Sequence, residues 1–364
     1  MMSKVLTVEQ REQAGSDSYN RFEYQVHWIV CHIISKLQED AECIVFCEFH
    51  DDMAEFSPDN QQYQFFQIKT KEDSSDWTIA EMSKREKKKS GGYKKSFLGF
   101  IFYNYLVFGS ECSHCHFVSN NDFDEEILLW QAYIEDGQRL QVENGTLYEK
   151  IKDRIKDEFT ADMPSNFDSV FDEFIQNTFV HKSELQLTTY ETQTMGEFFN
   201  HLSDKNIPSN TANLIFQQLL NDVRKKSKEK IKVPISKKSL VEKKGIDVAQ
   251  IGKKIDGNIK NSGNYGIFHD YLISQALSDN DIRRIEAAKT SHDARWLDVK
   301  DVKYQEIVIL LRKIISTYCE SSKIIGFTDE LKELCIQELR KNNLLSDTLD
   351  KSLIEVLYYE QKVN

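Results

Sequence analysis

Tyr63-Gln64-Phe65-Phe66-Gln67-Ile68-Lys69 reads as an apolar strand, since aromatic and β-branched residues suit a pleated, half-buried backbone. Its period of two puts Gln67 and Lys69 on one face with the Ile68 carbonyl between them. A metal-binding amide oxygen and an ammonium group therefore stand side by side. The preceding run, Glu42 to Asp52, alternates in the same way: Cys43, Val45, Cys47 and Phe49 on one face, and Ile44, Phe46, Glu48, His50 and Asp52 on the other. Two acids, Glu48 and Asp52, thus point the same way near the end of one predicted strand. The polar turn Ser57-Pro58-Asp59-Asn60 would pair the two strands and bring Asp52 toward Gln67 and Lys69. Oxygen donors gathered in this way suit a hard cation.

Working outward, Tyr19 to Gln38 has helical spacing, with Phe22, Val26, Ile29, Ile33 and Leu37 on one stripe and Asp17 or Ser18 available as the cap. Gln25 and Glu23 lie off the centre of that stripe. Phe97 to Phe108 is predicted to be a buried helix and Cys115 to Val118 a short strand before the turn 119–122. Helix, two strands, helix and strand fit an α/β core with a mixed sheet. From Glu125 onward the periodic segments read as helical: 167–179, 195–202, 210–223, 240–251, 267–277, 279–289, 302–318, 328–341 and 349–359. The charge density of 224–238 and its Pro234 mark a surface segment or boundary. The predicted division is a nuclease-like domain over 1–223 and a helical C-terminal domain over 224–364.

The 364 residues, 40% apolar and 11% aromatic, suit a soluble globular chain with two domains. Met1 to Gln13 lacks the apolar run of a signal peptide, and Phe97 to Phe108 is too short to span a bilayer, so the expected location is cytoplasmic, without membrane contact. Seven cysteines without framework spacing fit a reducing compartment. A net charge of −12 would repel a polyanion at long range. Its distribution is uneven, however. Lys84, Arg85, Lys87, Lys88, Lys89, Lys94 and Lys95 cluster around Gly91-Gly92, and Arg224 to Lys244 is a second basic stretch, whereas acids concentrate between Asp122 and Glu173. The first cluster is the predicted DNA contact, on what reads as a solvated loop.

Taken together, Gly15-Ser16, Phe22-Glu23-Tyr24-Gln25, Glu48-Phe49-His50-Asp51-Asp52, Gln67-Ile68-Lys69, His116-Phe117-Val118-Ser119-Asn120 and Leu240-Val241-Glu242-Lys243-Lys244-Gly245 resemble the nuclease domain of CD-NTase-associated antiphage endonucleases. That family lies within the PD-(D/E)XK restriction-endonuclease-like superfamily, and the likeness covers roughly the first two thirds of the chain. It implies a restriction-endonuclease-like core, with Asp52 as the metal-binding acid and Gln67 as the second ligand in place of the commoner acid. Lys69 becomes the lysine that steadies the attacking water and the phosphate, and Gln25 a supporting glutamine. Asp51 stands as an alternative to Asp52, Lys71 shares the face of Lys69, and Glu48 is an extra ligand or a base for water.

Phosphodiester hydrolysis builds charge on the phosphate oxygens, so one or two Mg2+ or Mn2+ ions held by Asp52, Gln67 and the Ile68 carbonyl would lower the barrier, and Lys69 would add a fixed positive charge. The expected activity is a metal-dependent DNA endonuclease in antiphage defence. No ligand-sensing domain is read after Lys244. The resemblance then implies work beside a HerA-type hexameric ATPase, with the C-terminal helices assembling a homo-oligomer on that ring. A noncatalytic adaptor with a degenerate core, favoured by neutral Gln67 and by the acidity, stands as the alternative, and an RNA nuclease as a third reading. Cys112-Ser113-His114-Cys115-His116 offers zinc donors but lacks a second ligand pair, so structural thiols are expected. Neither a Walker loop nor a Gly-x-Ser-x-Gly elbow is present.

Overall fold

The computed structural model describes residues 14–39, 41–160, 163–205, 207, 209–296, 301–321, 327–345 and 351–363. Six strands form one sheet: β1 (Ile44–Cys47), β2 (Met53–Ser57), β3 (Gln62–Lys69), β4 (Cys112–Ser119), β5 (Thr178–Lys182) and β6 (Gly245–Asp247). Their order is β5-β4-β3-β2-β1-β6. The β1–β2, β2–β3 and β1–β6 pairs are antiparallel, and β3–β4 and β4–β5 are parallel. Such a mixed sheet with flanking helices and a helical C-terminal region is the architecture expected from the sequence, a mixed-sheet core of the α/β or α+β kind followed by helices.

Helix α1 (Ala14–Gln38) runs longer than its apolar stripe suggested and takes in Asp17 and Ser18, the residues expected to cap it. Alternation along β3 decides which helix meets which face. Phe66 packs against Trp28 and His32 of α1, at ring separations of 5.7 and 5.0 Å. The next residue back, Phe65, turns to the other face and meets Phe108 at 5.0 Å. Phe108 ends α3 (Phe97–Phe108), which lies on the crossover from β3 to β4 after the short helix α2 (Ile79–Met82). Ser96 caps α3 by accepting from the Gly99 amide at 3.0 Å. The inner side of α3, with Leu98, Ile101 and Phe102, is part of the main core.

Several predicted elements are redrawn. Glu42 to Asp52 is not one strand: Glu48 (φ 50°) and His50 (φ 64°) adopt left-handed backbone, so the chain turns over 48–52 and β2 starts at Met53. Phe167 to Phe179 divides into a helix, Phe167–Gln176, and the edge strand β5. The predicted helix 240–251 divides into the helix Lys237–Lys244, β6, and a helix from Val248. Helix α3 is not wholly buried, since Phe100, Tyr103 and Val107 face outward. The basic segment forms an ordered turn in which Lys87 bridges Tyr93, the Lys94 amide reaches the Glu86 carbonyl at 2.8 Å, and Gly91 (φ 90°) and Gly92 (φ 73°) supply backbone that side chains disfavour.

The chain forms two compact units, one reaching to Phe198 and including Leu219–Ala249, the other comprising Phe199–Gln218 and Gln250 onward. The predicted boundary at 223/224 falls within the helix Ser209–Lys228. The second unit is helical among its described residues, with Asp279–Trp296, Val302–Ser321, Asp329–Lys341 and Ser352–Val363 sharing one apolar core. The last of these was predicted to start at Leu349, which lies outside the described residues. Within the core, Lys289 is neutralised by Glu360 at 2.7 Å and Asp293 at 3.1 Å. Among the described residues no helix is long and apolar enough to cross a membrane.

Candidate metal centre and nucleic-acid cleft

The turn between β1 and β2 and the end of β3 meet at one point. Met53 pairs with Phe66, so Asp52, one step before Met53, comes level with Gln67. One carboxylate oxygen of Asp52 accepts from the Ile68 amide and from the Lys69 ammonium, both at 2.7 Å. The ion pair is largely shielded, with Asp52 15% and Lys69 23% exposed at the side chain. From α1, the Gln25 amide donates to the Ile68 carbonyl at 3.1 Å. Gln67 is buried, and its side-chain oxygen has no hydrogen-bond partner. Burying an amide oxygen without a partner is costly.

Asp51 lines the same cleft, with both carboxylate oxygens engaged. Its two oxygens accept from the Asp52 amide at 2.9 Å and from the Asn104 amide at 3.1 Å, and burial, reinforced by the Asp52 charge, pushes its carboxyl well above the usual carboxylate range. Glu48 shares the cleft, where burial first and Asp52 second raise its carboxyl to about 7, opposed by the Lys244 and Lys69 ammonium groups. Lys71, the other lysine on the Lys69 face, is drawn away by Glu81 at 3.0 Å and stacks on Trp77 at 4.5 Å. The predicted residues Glu48, Asp52, Gln67 and Lys69, and the alternative Asp51, thus line one open cleft of about 420 Å³. The opposite wall is Lys95, Ser96, Phe97 and Phe100.

Of the predicted basic cluster, only Lys95 lines this cleft. Lys84, Arg85, Lys87, Lys88, Lys89 and Lys94 belong to the turn that leads to it; Lys94 pairs with Glu86 at 2.7 Å. Sequence reasoning missed Asn104 and Lys244. Asn104 was hidden by its apolar neighbours in α3, although a lone amide in such a run was itself a signal. Lys244, buried beside Ser227 with its ammonium 3.3 Å from that carbonyl, gave no signal among the surrounding lysines.

The donor set suits a hard cation on chemistry alone. The unpartnered Gln67 oxygen, the second Asp52 oxygen and the Ile68 carbonyl are oxygen ligands of the kind Mg2+ and Mn2+ take. Cys112 and Cys115, whose sulfurs are 3.7 Å apart and buried, belong to no such set. Among the described residues the one group of three His, Cys, Asp or Glu side chains with convergent ligand atoms is His292, Asp293 and Glu360.

The family model described as "Cap4, dsDNA endonuclease domain" matches residues 13–227. A solved structure entitled "Structure of Moraxella osloensis Cap4 SAVED/CARF-domain containing receptor" is similar over 57% of this chain, at 15% identity and a TM-score of 0.35. The similarity covers 43% of that receptor chain. No curated protein matches.

Proposed function

Since the chain belongs to the Cap4 dsDNA endonuclease domain family, we propose that it is a metal-dependent DNA endonuclease serving antiphage defence, with its reaction centred on Asp52, Gln67 and Lys69. The observation that carries this reading is the buried, unpartnered Gln67 oxygen beside the Asp52–Lys69 pair. Asp52, Gln67 and the Ile68 carbonyl would hold Mg2+ or Mn2+, which when bound supplies Lewis acidity toward a phosphate oxygen. Lys69 presents a fixed positive charge where the phosphate oxygens gain negative charge, with no reorganisation needed. Gln25 steadies the Ile68 carbonyl. Glu48, in the same cleft, takes the proton of the attacking water as the water oxygen bonds to phosphorus and the ester oxygen leaves. Lys95 and the basic turn hold the DNA backbone.

We extend the proposal to assembly. The helical second unit would form a homo-oligomer docked on a HerA-type hexameric ATPase, gathering several clefts around one DNA and offsetting the net charge of −12 by geometry. Plasmid incubated with the purified chain, with and without the ATPase, should be nicked or degraded when Mg2+ or Mn2+ is present. The activity should vanish in Asp52→Ala and Lys69→Ala while folding and assembly persist. A second reading, a noncatalytic adaptor, draws support from the way Lys69 and the Ile68 amide already satisfy one Asp52 oxygen. It predicts no cleavage with either ion under any partner condition. Parallel digestion of duplex DNA, single-stranded DNA and RNA separates the third, an RNA nuclease.

A further inference from the structure

Helix α3 carries an outer stripe that the core does not use. Phe100, Tyr103 and Val107 recur one helical face apart and are 37, 42 and 52% exposed. Phe100 also lines the cleft that holds Asp52, Gln67 and Lys69. The stripe therefore starts at the candidate centre and leads away from it. Beside it lies the basic turn, where residues 84–95 contain seven Lys or Arg against one acid, Glu86, inside a chain of net charge −12. Rings and cations are interleaved: the Arg85 guanidinium lies 5.1 Å from the Tyr93 ring centre, and the Lys95 ammonium, seated 3.5 Å from the ring centre of buried Phe159, is 5.4 Å from that of Tyr103.

Two exposed rings and a valine on one helix face, beside a basic turn and at the rim of the cleft, form a candidate contact surface. A second copy would bring the same positive turn against its twin, and burying these lysines under apolar protein would strip their hydration. Nucleic acid meets both demands, since phosphates face the lysines while unstacked bases lay flat apolar faces on the rings. Resting on the endonuclease reading above, we propose that Phe100 and Tyr103 form a wedge that enters the duplex beside the scissile phosphate and stacks on bases it has opened. The substrate of this cleft is then duplex DNA that is locally unstacked as it is cut.

The test compares the full chain with F100A/Y103A on one covalently closed plasmid, relaxed or negatively supercoiled, under conditions where the wild type cuts. Both changes are on the surface, so the thermal midpoint should hold. If the rings open the duplex, the double variant should lose about tenfold or more in rate on relaxed plasmid and about threefold or less on supercoiled plasmid, where underwinding already supplies unpaired bases. In the Lys69→Ala background, binding should raise the permanganate reactivity of thymines only when the two rings are present. Equal losses on both plasmids, no loss on either, or unchanged thymine reactivity would overturn the wedge and leave the endonuclease reading standing. A double variant that cuts normally but no longer self-associates would make the stripe an interface between copies and overturn it too. A wild type that cuts no DNA removes both readings together.

Discussion

Asp52 and Lys69 form an ion pair of 2.7 Å across the end of the β2–β3 hairpin, and the same carboxylate oxygen accepts the Ile68 amide. This contact fixes the aspartate against the strand that presents Gln67. The candidate centre is thus assembled by the hairpin itself, with α1 and α3 closing on it from opposite faces of the sheet.

Gln67→Leu should stabilise the fold while removing activity. The buried amide oxygen has no partner, so replacing it with an apolar group of similar size relieves a desolvation cost of about 1 kcal/mol or more. Chemical denaturation should show a higher midpoint, and plasmid cleavage should fall by about a hundredfold. A lower midpoint would mean that the amide is satisfied and not held open for a ligand.

Lys87, Lys88 and Lys89 are exposed on the turn before α3. Their replacement by Ala should leave the thermal midpoint unchanged and weaken DNA binding alike for all sequences. Because the triple variant would neutralise up to three fewer phosphates, the slope of log affinity against log salt should shrink by about 2 to 3. An unchanged slope would place the DNA path elsewhere.

Low pH should destabilise the chain through buried histidines. Burial, and then the Arg224 charge, lowers His27 from 6.5 to about 4, against the pull of Glu23. Burial likewise lowers His292 to about 4, opposed by Glu360. Both side chains are 2% exposed. Below pH 6.5 the unfolded chain takes up protons that the folded chain refuses. The contribution of each histidine is therefore full above that value and is lost as pH drops toward 4, by on the order of 3 kcal/mol for each group. Glu48 and Asp51, whose carboxyls are raised, act in the opposite sense over this range, so the wild type is compared with His27→Gln/His292→Gln. The wild-type thermal midpoint should fall further than that of the double variant between pH 7.5 and pH 5, and equal falls would contradict the burial of neutral imidazoles.

The period-two face of Gln67 and Lys69 and the turn near Pro58 were legible in the sequence because both follow from local alternation and turn chemistry. The turn at 48–52 was not, since Glu48 and His50 take left-handed backbone without a Gly or Asn to announce it. Tertiary contacts decide β5 and β6. The first is five residues at the end of an aromatic helical pattern, and its edge is held by the Gln131 side chain, which donates to the Thr178 carbonyl and accepts the Val180 amide. The second is three residues among lysines, paired to β1 from two hundred positions away. In α3 an apolar run interrupted only by Gly99 and Asn104 concealed which side faces solvent.

The most direct test of the metal centre is the binding of Mn2+ to the full chain with a phosphorothioate duplex present, followed by the electron paramagnetic resonance signal of the free ion. The wild type should remove Mn2+ from solution, and Asp52→Ala and Gln67→Leu should each weaken that binding by about tenfold or more. Identical titrations for all three chains would contradict the assignment of Asp52 and Gln67 as ligands.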